Sequence, residues 1–83
     1  MHDLETQRIR IETRADAITA LTADLAQLDS FILLLQFRGC GLRTMNGLQQ
    51  MQVEWFTHIE EMKRIQAAAQ AQYDADANRE PQG

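Results

Sequence analysis

Apolar residues recur at alternating intervals of four and three along the first half of the chain. Five positions of this stripe are spaced by seven, and all are aliphatic: Leu4, Ile11, Ile18, Leu25 and Ile32. Their companion positions begin polar and become aliphatic at Leu21, Leu28 and Leu35. This spacing places side chains on one face of a helix, whereas a strand alternates every second residue. The pattern predicts a helix over residues 4–36.

The same alternation continues in the second half with two polar interruptions. Seven of its nine positions are apolar or aromatic, in the series Met45, Leu48, Gln52, Trp55, Ile59, Met62, Gln66, Ala69 and Tyr73. Gly47 lies within this half and costs about 1 kcal/mol relative to alanine in a helix. We expect either a close backbone approach there or a helix that becomes regular only after it. The prediction is a helix over 42–77 and a loose tail over 78–83.

Glycine separates the two halves at Gly39 and Gly41. Gly39 adopts a positive φ at little cost and can therefore end the first helix. A turn over residues 37–41 forces the two helices to run antiparallel. The predicted fold class is all-α, with a single domain over 1–83 built as a two-helix hairpin.

The apolar surface exceeds what one seam between two helices can cover. Residues 31–35 together with Phe37 cover nearly the whole circumference of the first helix with apolar side chains, and Val53, Phe56 and Ile65 lie off the second stripe. A helix that is apolar all round is normally buried all round. We therefore expect a second hairpin to pack against this one as a dimer, giving a four-helix bundle. The alternative is a marginal, partly molten monomer. The residues expected to carry the seam and the pairing surface are Leu25, Leu28, Ile32, Leu35, Trp55, Ile59 and Met62.

Charge and composition exclude several classes of function. The chain has 83 residues and a formal net charge of -4, which argues against a nucleic-acid partner. The longest uninterrupted apolar run is residues 31–35, so we expect no stable membrane insertion. Residues 1–5 lack the basic segment of a cleavable signal peptide. Any export is therefore expected to use a route that does not read one.

The sequence offers little support for catalysis. His58 and Glu61 form an i, i+3 pair on one helix face, but a metal site needs further converging ligands. Cys40 is the single cysteine and has no evident base beside it in the turn, although thiol pKa values fall near helix starts. We expect no catalytic, cofactor-binding or metal-binding residues, and hence not an enzyme.

The turn and the C-terminal segment carry a family resemblance. Phe37, Arg38 and Gly39 place an aromatic-x-Gly motif between two helices, and Tyr73 and Asp76 follow near the end of the second. The whole chain resembles the small WxG-motif, early-secreted-antigen-like proteins of bacterial type VII secretion. Two departures are evident. Phenylalanine replaces the motif's tryptophan, and the acid follows Tyr73 by three positions where the family pattern has four.

The resemblance implies a protein exported as a folded dimer to the outside or the cell envelope. The Phe37 turn of one chain and the Tyr73 and Asp76 segment of its partner would form a composite signal for a secretion ATPase. The implied partner is a second copy, a related small hairpin or a larger secreted helical protein. Two alternatives remain open: a cytosolic structural or adaptor hairpin, and a chaperone that masks a helix of a larger protein.

Overall fold

Two long helices account for nearly all of the described chain. The computed structural model describes residues 3–79, with α1 at Leu4–Arg38 and α2 at Leu42–Arg79. The helices run antiparallel and form a rod of 65 × 15 × 14 Å. The predicted all-α hairpin is confirmed, and residues 3–79 contain no strand.

The ends of α1 are determined by two capping residues. Asp3 has an extended backbone, and its side chain accepts a 3.2 Å hydrogen bond from the Thr6 amide. This is the geometry of an N-cap, which satisfies one of the free amides of the first turn. At the other end Gly39 has φ 85°, and its N–H donates to the Leu35 carbonyl over 2.7 Å. The expectation that Gly39 ends the first helix is met.

The helices are longer than the sequence pattern predicted. Phe37 and Arg38 belong to α1, so the connection is residues 39–41 rather than 37–41. α2 continues through residues 78 and 79, which were expected to begin the tail. The remaining tail positions, 80–83, lie outside the described residues. The apolar pattern ends before the helix does because backbone hydrogen bonds continue past the last seam contact.

Gly47 meets neither expectation within the hairpin. α2 is regular from Leu42 onward, and a Cβ built at position 47 has no neighbouring atom within 4 Å. The residue therefore permits no close approach between α1 and α2.

The core of the hairpin is thin. Every position of the two stripes is half-buried or buried, so the helices meet along the faces that the periodicity indicates. Among the described residues, however, the buried hydrophobic side chains are Ile32, 4% exposed, and Ile59, 3% exposed. Two helices cannot enclose more than a single row of side chains between them.

The two glutamines that interrupt the stripe of α2 form hydrogen bonds to α1 across the seam. Gln66 donates to the Ile11 carbonyl over 2.7 Å and accepts from Arg14 over 3.1 Å. Gln52 donates to Asp29 on the opposite helix. The bonds of Gln66 satisfy half-buried polar groups, the bond between Gln52 and Asp29 is exposed, and all three help to hold the two helices in register.

The first helix is apolar over much of its length. α1 is long and apolar enough to cross a membrane, by length and composition only. Its longest uninterrupted apolar run is short, but the residues on either side of Asp24 and Asp29 are apolar enough to give an 18-residue stretch a mean hydropathy of 1.5. A core helix and a signal sequence pass the same test, so it assigns no location.

Candidate interaction surface

Large exposed apolar side chains concentrate in the half of the rod next to the turn. We define the turn-proximal half as residues 18–58, and the open half as residues 3–17 and 59–79. Ile9 and Ile65 are exposed in the open half. The turn-proximal half exposes eight large hydrophobic side chains: Phe31, Leu33, Leu34, Phe37, Leu42, Met51, Val53 and Phe56.

Charged residues follow the opposite distribution. The turn-proximal half has five, which are Asp24, Asp29, Arg38, Arg43 and Glu54, whereas the described open half has 14. Exposed ion pairs in the open half join Arg8 to Glu5 and to Glu12, Lys63 to Glu60, and Arg64 to Glu61. Removing the turn-proximal half from water therefore desolvates few charges, while covering the open half desolvates many.

The exposed apolar residues of the turn-proximal half lie on both sides of the seam. Helical geometry places Leu33, Val53 and Phe56 on one side, which we call the hollow face. The other side, the second face, carries three more apolar residues, Phe31, Leu34 and Met51. Phe37 lies on the outer edge of α1.

A hollow between the helices gives the hollow face its name. It is lined by Leu25, Asp29, Gln52, Val53 and Phe56. Most of this lining is apolar. Its one charged group is the Asp29 carboxylate, which accepts a hydrogen bond from Gln52 on the opposite helix. The hollow is therefore a site where an apolar side chain from a partner could pack without leaving that carboxylate unpaired.

All of the residues predicted for the seam and the pairing surface lie in the seam between α1 and α2. Ile32 and Ile59 are buried, and the others are half-buried: Leu25, Leu28, Leu35, Trp55 and Met62. The exposed surface is instead formed by flanking residues. The sequence analysis did not predict exposed surface at Leu42 and Met51. Met51 precedes the stripe residue Gln52, and that position indicates a side chain that flanks the seam.

Trp55 combines an apolar seam position with an enclosed polar atom. Its side chain is half-buried, and its indole Nε1 has no hydrogen-bond partner among the described residues. A buried N–H without an acceptor costs free energy that the apolar ring must offset.

The two parts of the predicted export signal lie at opposite ends of the rod. Phe37 is 85% exposed beside Arg38 and the Gly39 turn. Tyr73 is half-buried in the seam near the open end. Asp76 is buried, and its carboxylate accepts hydrogen bonds from Gln7 over 3.1 Å and Gln72 over 2.9 Å. Within one chain the aromatic of the turn is displayed, whereas the acid is engaged in the seam.

The residues considered for catalysis lie at two places, in the connection and on one face of α2. Cys40 is exposed in the turn, and His58 and Glu61 are exposed on α2. Within residues 3–79, no three His, Cys, Asp or Glu side chains gather as a metal site.

Comparison of the chain with protein-family models, with curated proteins and with solved structures gives no match. The apolar turn-proximal surface is therefore the feature on which a function can be proposed.

Proposed function

We propose that this chain is a non-enzymatic interaction protein that pairs with a second helical hairpin to form a four-helix bundle. The observation that carries the proposal is the exposure of eight large apolar side chains in the turn-proximal half. Exposed apolar side chains that concentrate in one region of a surface are typical of a site of association.

The thin core supports pairing from a second direction. Ile32 and Ile59 are the buried hydrophobic residues among positions 3–79, although the helices together order more than seventy residues. Small helical scaffolds usually obtain the missing burial by association. The partner is a second copy, a related small hairpin or a larger helical protein.

We further propose, from the family resemblance, that the pair is exported by type VII secretion without a cleaved signal peptide. Phe37 supports this role because it is displayed at the tip of the rod, where a secretion ATPase could reach it. The product would be secreted or held in the cell envelope.

A cytosolic chaperone or adaptor is the second candidate function. It is favoured by the apolar residues on both sides of the seam. If one hairpin covers the hollow face, Phe31, Leu34 and Met51 remain free on the second face for a further helix.

The two parts of the proposal can be tested separately. Pairing is tested by light scattering after size exclusion, on the chain alone and mixed with candidate hairpins; a monomer under every condition contradicts it. Export is tested by comparing Phe37→Ser with Phe37→Leu, which keeps an apolar side chain. If both variants pair and both are exported like the parent, Phe37 has no part in a signal.

A further inference from the structure

We propose that two copies of this hairpin pair through the hollow face of their turn-proximal halves, each turn-proximal half lying against the other. This inference depends on the proposed pairing function. It identifies the partner as a second copy of this chain. It also specifies which face of the hairpin forms the interface and which half of each rod is covered.

The overlap follows from what lies along the hollow face. The hollow face continues along the same side of the seam into the open half of the rod. There it carries the ion pairs of Arg8 with Glu5 and Glu12, and of Lys63 with Glu60. Full antiparallel overlap would place Leu33, Val53 and Phe56 of one copy on these charged groups. Such contacts desolvate ions without replacing their hydration. When the turn-proximal halves overlap, apolar side chains meet apolar side chains.

The choice of face follows from the charges of the turn-proximal half. On the hollow face the one charged residue is Asp29, which is bonded to Gln52. By the same helical geometry the second face carries three charged residues, Asp24, Arg38 and Glu54. Pairing through the second face would therefore remove three charges of each copy from water, against one on the hollow face. The hollow face therefore has the lower cost of burial.

The hollow makes this face complementary to itself. Phe56 is 55% exposed and projects at the rim of the hollow that it helps to line. A two-fold axis uses the same patch on both copies. Phe56 of each copy can then pack into the hollow of the other beside Leu25 and Val53, as a knob in a hole.

The face is large enough for a specific dimer. Twenty residues of helix rise about 30 Å, and the face is two helices wide. A surface of those dimensions offers on the order of 600 to 800 Å² per copy, close to what one partner buries in a standard interface. A second copy always provides a surface with this length and apolar pattern.

The proposed overlap makes a prediction about the distance between the two turns. Full antiparallel overlap, which the family resemblance implies, separates the two Cys40 residues by nearly the 65 Å length of the rod. A two-fold axis through the hollow separates them by only about 40–45 Å, since the hollow residues lie 11 to 16 positions from Cys40 and each position rises about 1.5 Å. Cys40 is exposed and is the single cysteine, so the parent chain can be labelled without mutation.

The experiment is pulsed dipolar spectroscopy on the full chain spin-labelled at Cys40, after light scattering has verified that labelling leaves the dimer mass unchanged. A distance of about 40–45 Å is expected for this overlap. A dimer with a distance near the length of the rod overturns the overlap while leaving the proposed pairing function intact. A monomer, alone and with every candidate hairpin, overturns both.

Two matched variants test the face. Phe56→Ser is expected to raise the dimer dissociation constant at least about tenfold, because a buried aromatic anchor is lost. Phe31→Ser, on the second face at a similar 50% exposure, is the control and should change it less than about threefold. Circular dichroism checks that both remain helical. A larger effect of Phe31→Ser overturns the choice of face. A chain that is monomeric in solution and binds phosphatidylcholine vesicles through Phe56 overturns the second copy as occupant.

Discussion

Gln7 donates a 3.1 Å hydrogen bond to the carboxylate of Asp76, although the two residues are 69 positions apart in sequence. The bond joins the first turns of α1 to the last turns of α2 at the end of the rod farthest from the connection. Asp76 is 3% exposed and also accepts from Gln72. The open end of the hairpin is therefore held by a buried polar contact where apolar seam residues become sparse.

Removing this carboxylate should destabilise the hairpin. Asp76→Ala leaves the Gln7 and Gln72 amides without their acceptor, and we expect a loss of about 1–3 kcal/mol in the free energy of unfolding. Urea denaturation at fixed protein concentration measures it. Asp76→Asn keeps one carbonyl acceptor but replaces the other oxygen with an N–H donor, so it should lose part of this stability and less than Asp76→Ala. Equal losses in the two variants would mean that one remaining acceptor does not hold the open end.

Trp55 should tolerate loss of its indole N–H better than loss of its ring. Trp55→Ala removes a large half-buried seam side chain and should cost up to about 3–5 kcal/mol. Trp55→Phe removes the enclosed Nε1 that has no described partner and keeps an apolar ring, so its cost should be clearly smaller. The midpoints of urea unfolding followed by circular dichroism compare the two. A Phe variant as unstable as the Ala variant would indicate that Nε1 has an acceptor in the assembled protein.

The fold was predictable because its main features depend on local signals. The heptad from Leu4 to Ile32 places one apolar stripe on a helix, and Gly39 provides the positive φ at the turn. The helix ends were less predictable. Phe37 and Arg38 extend α1 because the last turn needs backbone hydrogen bonds, not seam contacts, to remain helical.

The three central glycines should respond differently to alanine. Gly39 has φ 85°, so Gly39→Ala introduces backbone strain and should destabilise the protein by about 1 kcal/mol or more. Gly47 lies in a regular helix with open space around its Cβ position, so Gly47→Ala should stabilise by about 0.5–1 kcal/mol. Gly41 has neither a positive φ nor a close neighbour and is the control.

Thermal unfolding of the three glycine variants at one concentration gives the comparison. If Gly47→Ala is destabilising, a partner backbone approaches position 47 in the assembled protein. That result would favour the second face over the hollow face as the site of pairing.

Low pH should weaken the N-terminal turn of α1. The hydrogen bond from the Thr6 side chain, followed by that from the Thr6 amide, lowers the pKa of Asp3 below its ordinary value of 3.8. A carboxylate whose pKa is lower in the folded state stabilises that state above the unfolded pKa. This contribution is lost as the pH falls through the folded pKa.

Amide hydrogen exchange at Thr6 measures the effect of pH on this cap. Its protection is expected to hold from pH 7 to about 5 and to fall below the ordinary pKa of Asp3. Asp3→Asn also caps helices but does not titrate, so its protection should follow the global stability alone. Identical pH profiles for the parent and Asp3→Asn would exclude a role for the Asp3 charge.

The candidate surface was only partly predictable. An excess of apolar residues around positions 31–37 was evident from the sequence, and Phe56 and Val53 were visible off the second stripe. Their division between two faces depends on how α1 and α2 are rotated about the seam, which becomes evident only once both helices are placed. The role of Asp76 likewise depends on Gln7, a residue at the other end of the chain.

Sedimentation equilibrium of the untagged chain at micromolar concentration tests the central claim most directly. Because a single hairpin leaves its turn-proximal apolar side chains in water, we expect a species of twice the 9.5 kDa chain mass. A compact 9.5 kDa monomer that unfolds cooperatively and associates with no candidate hairpin would contradict the account.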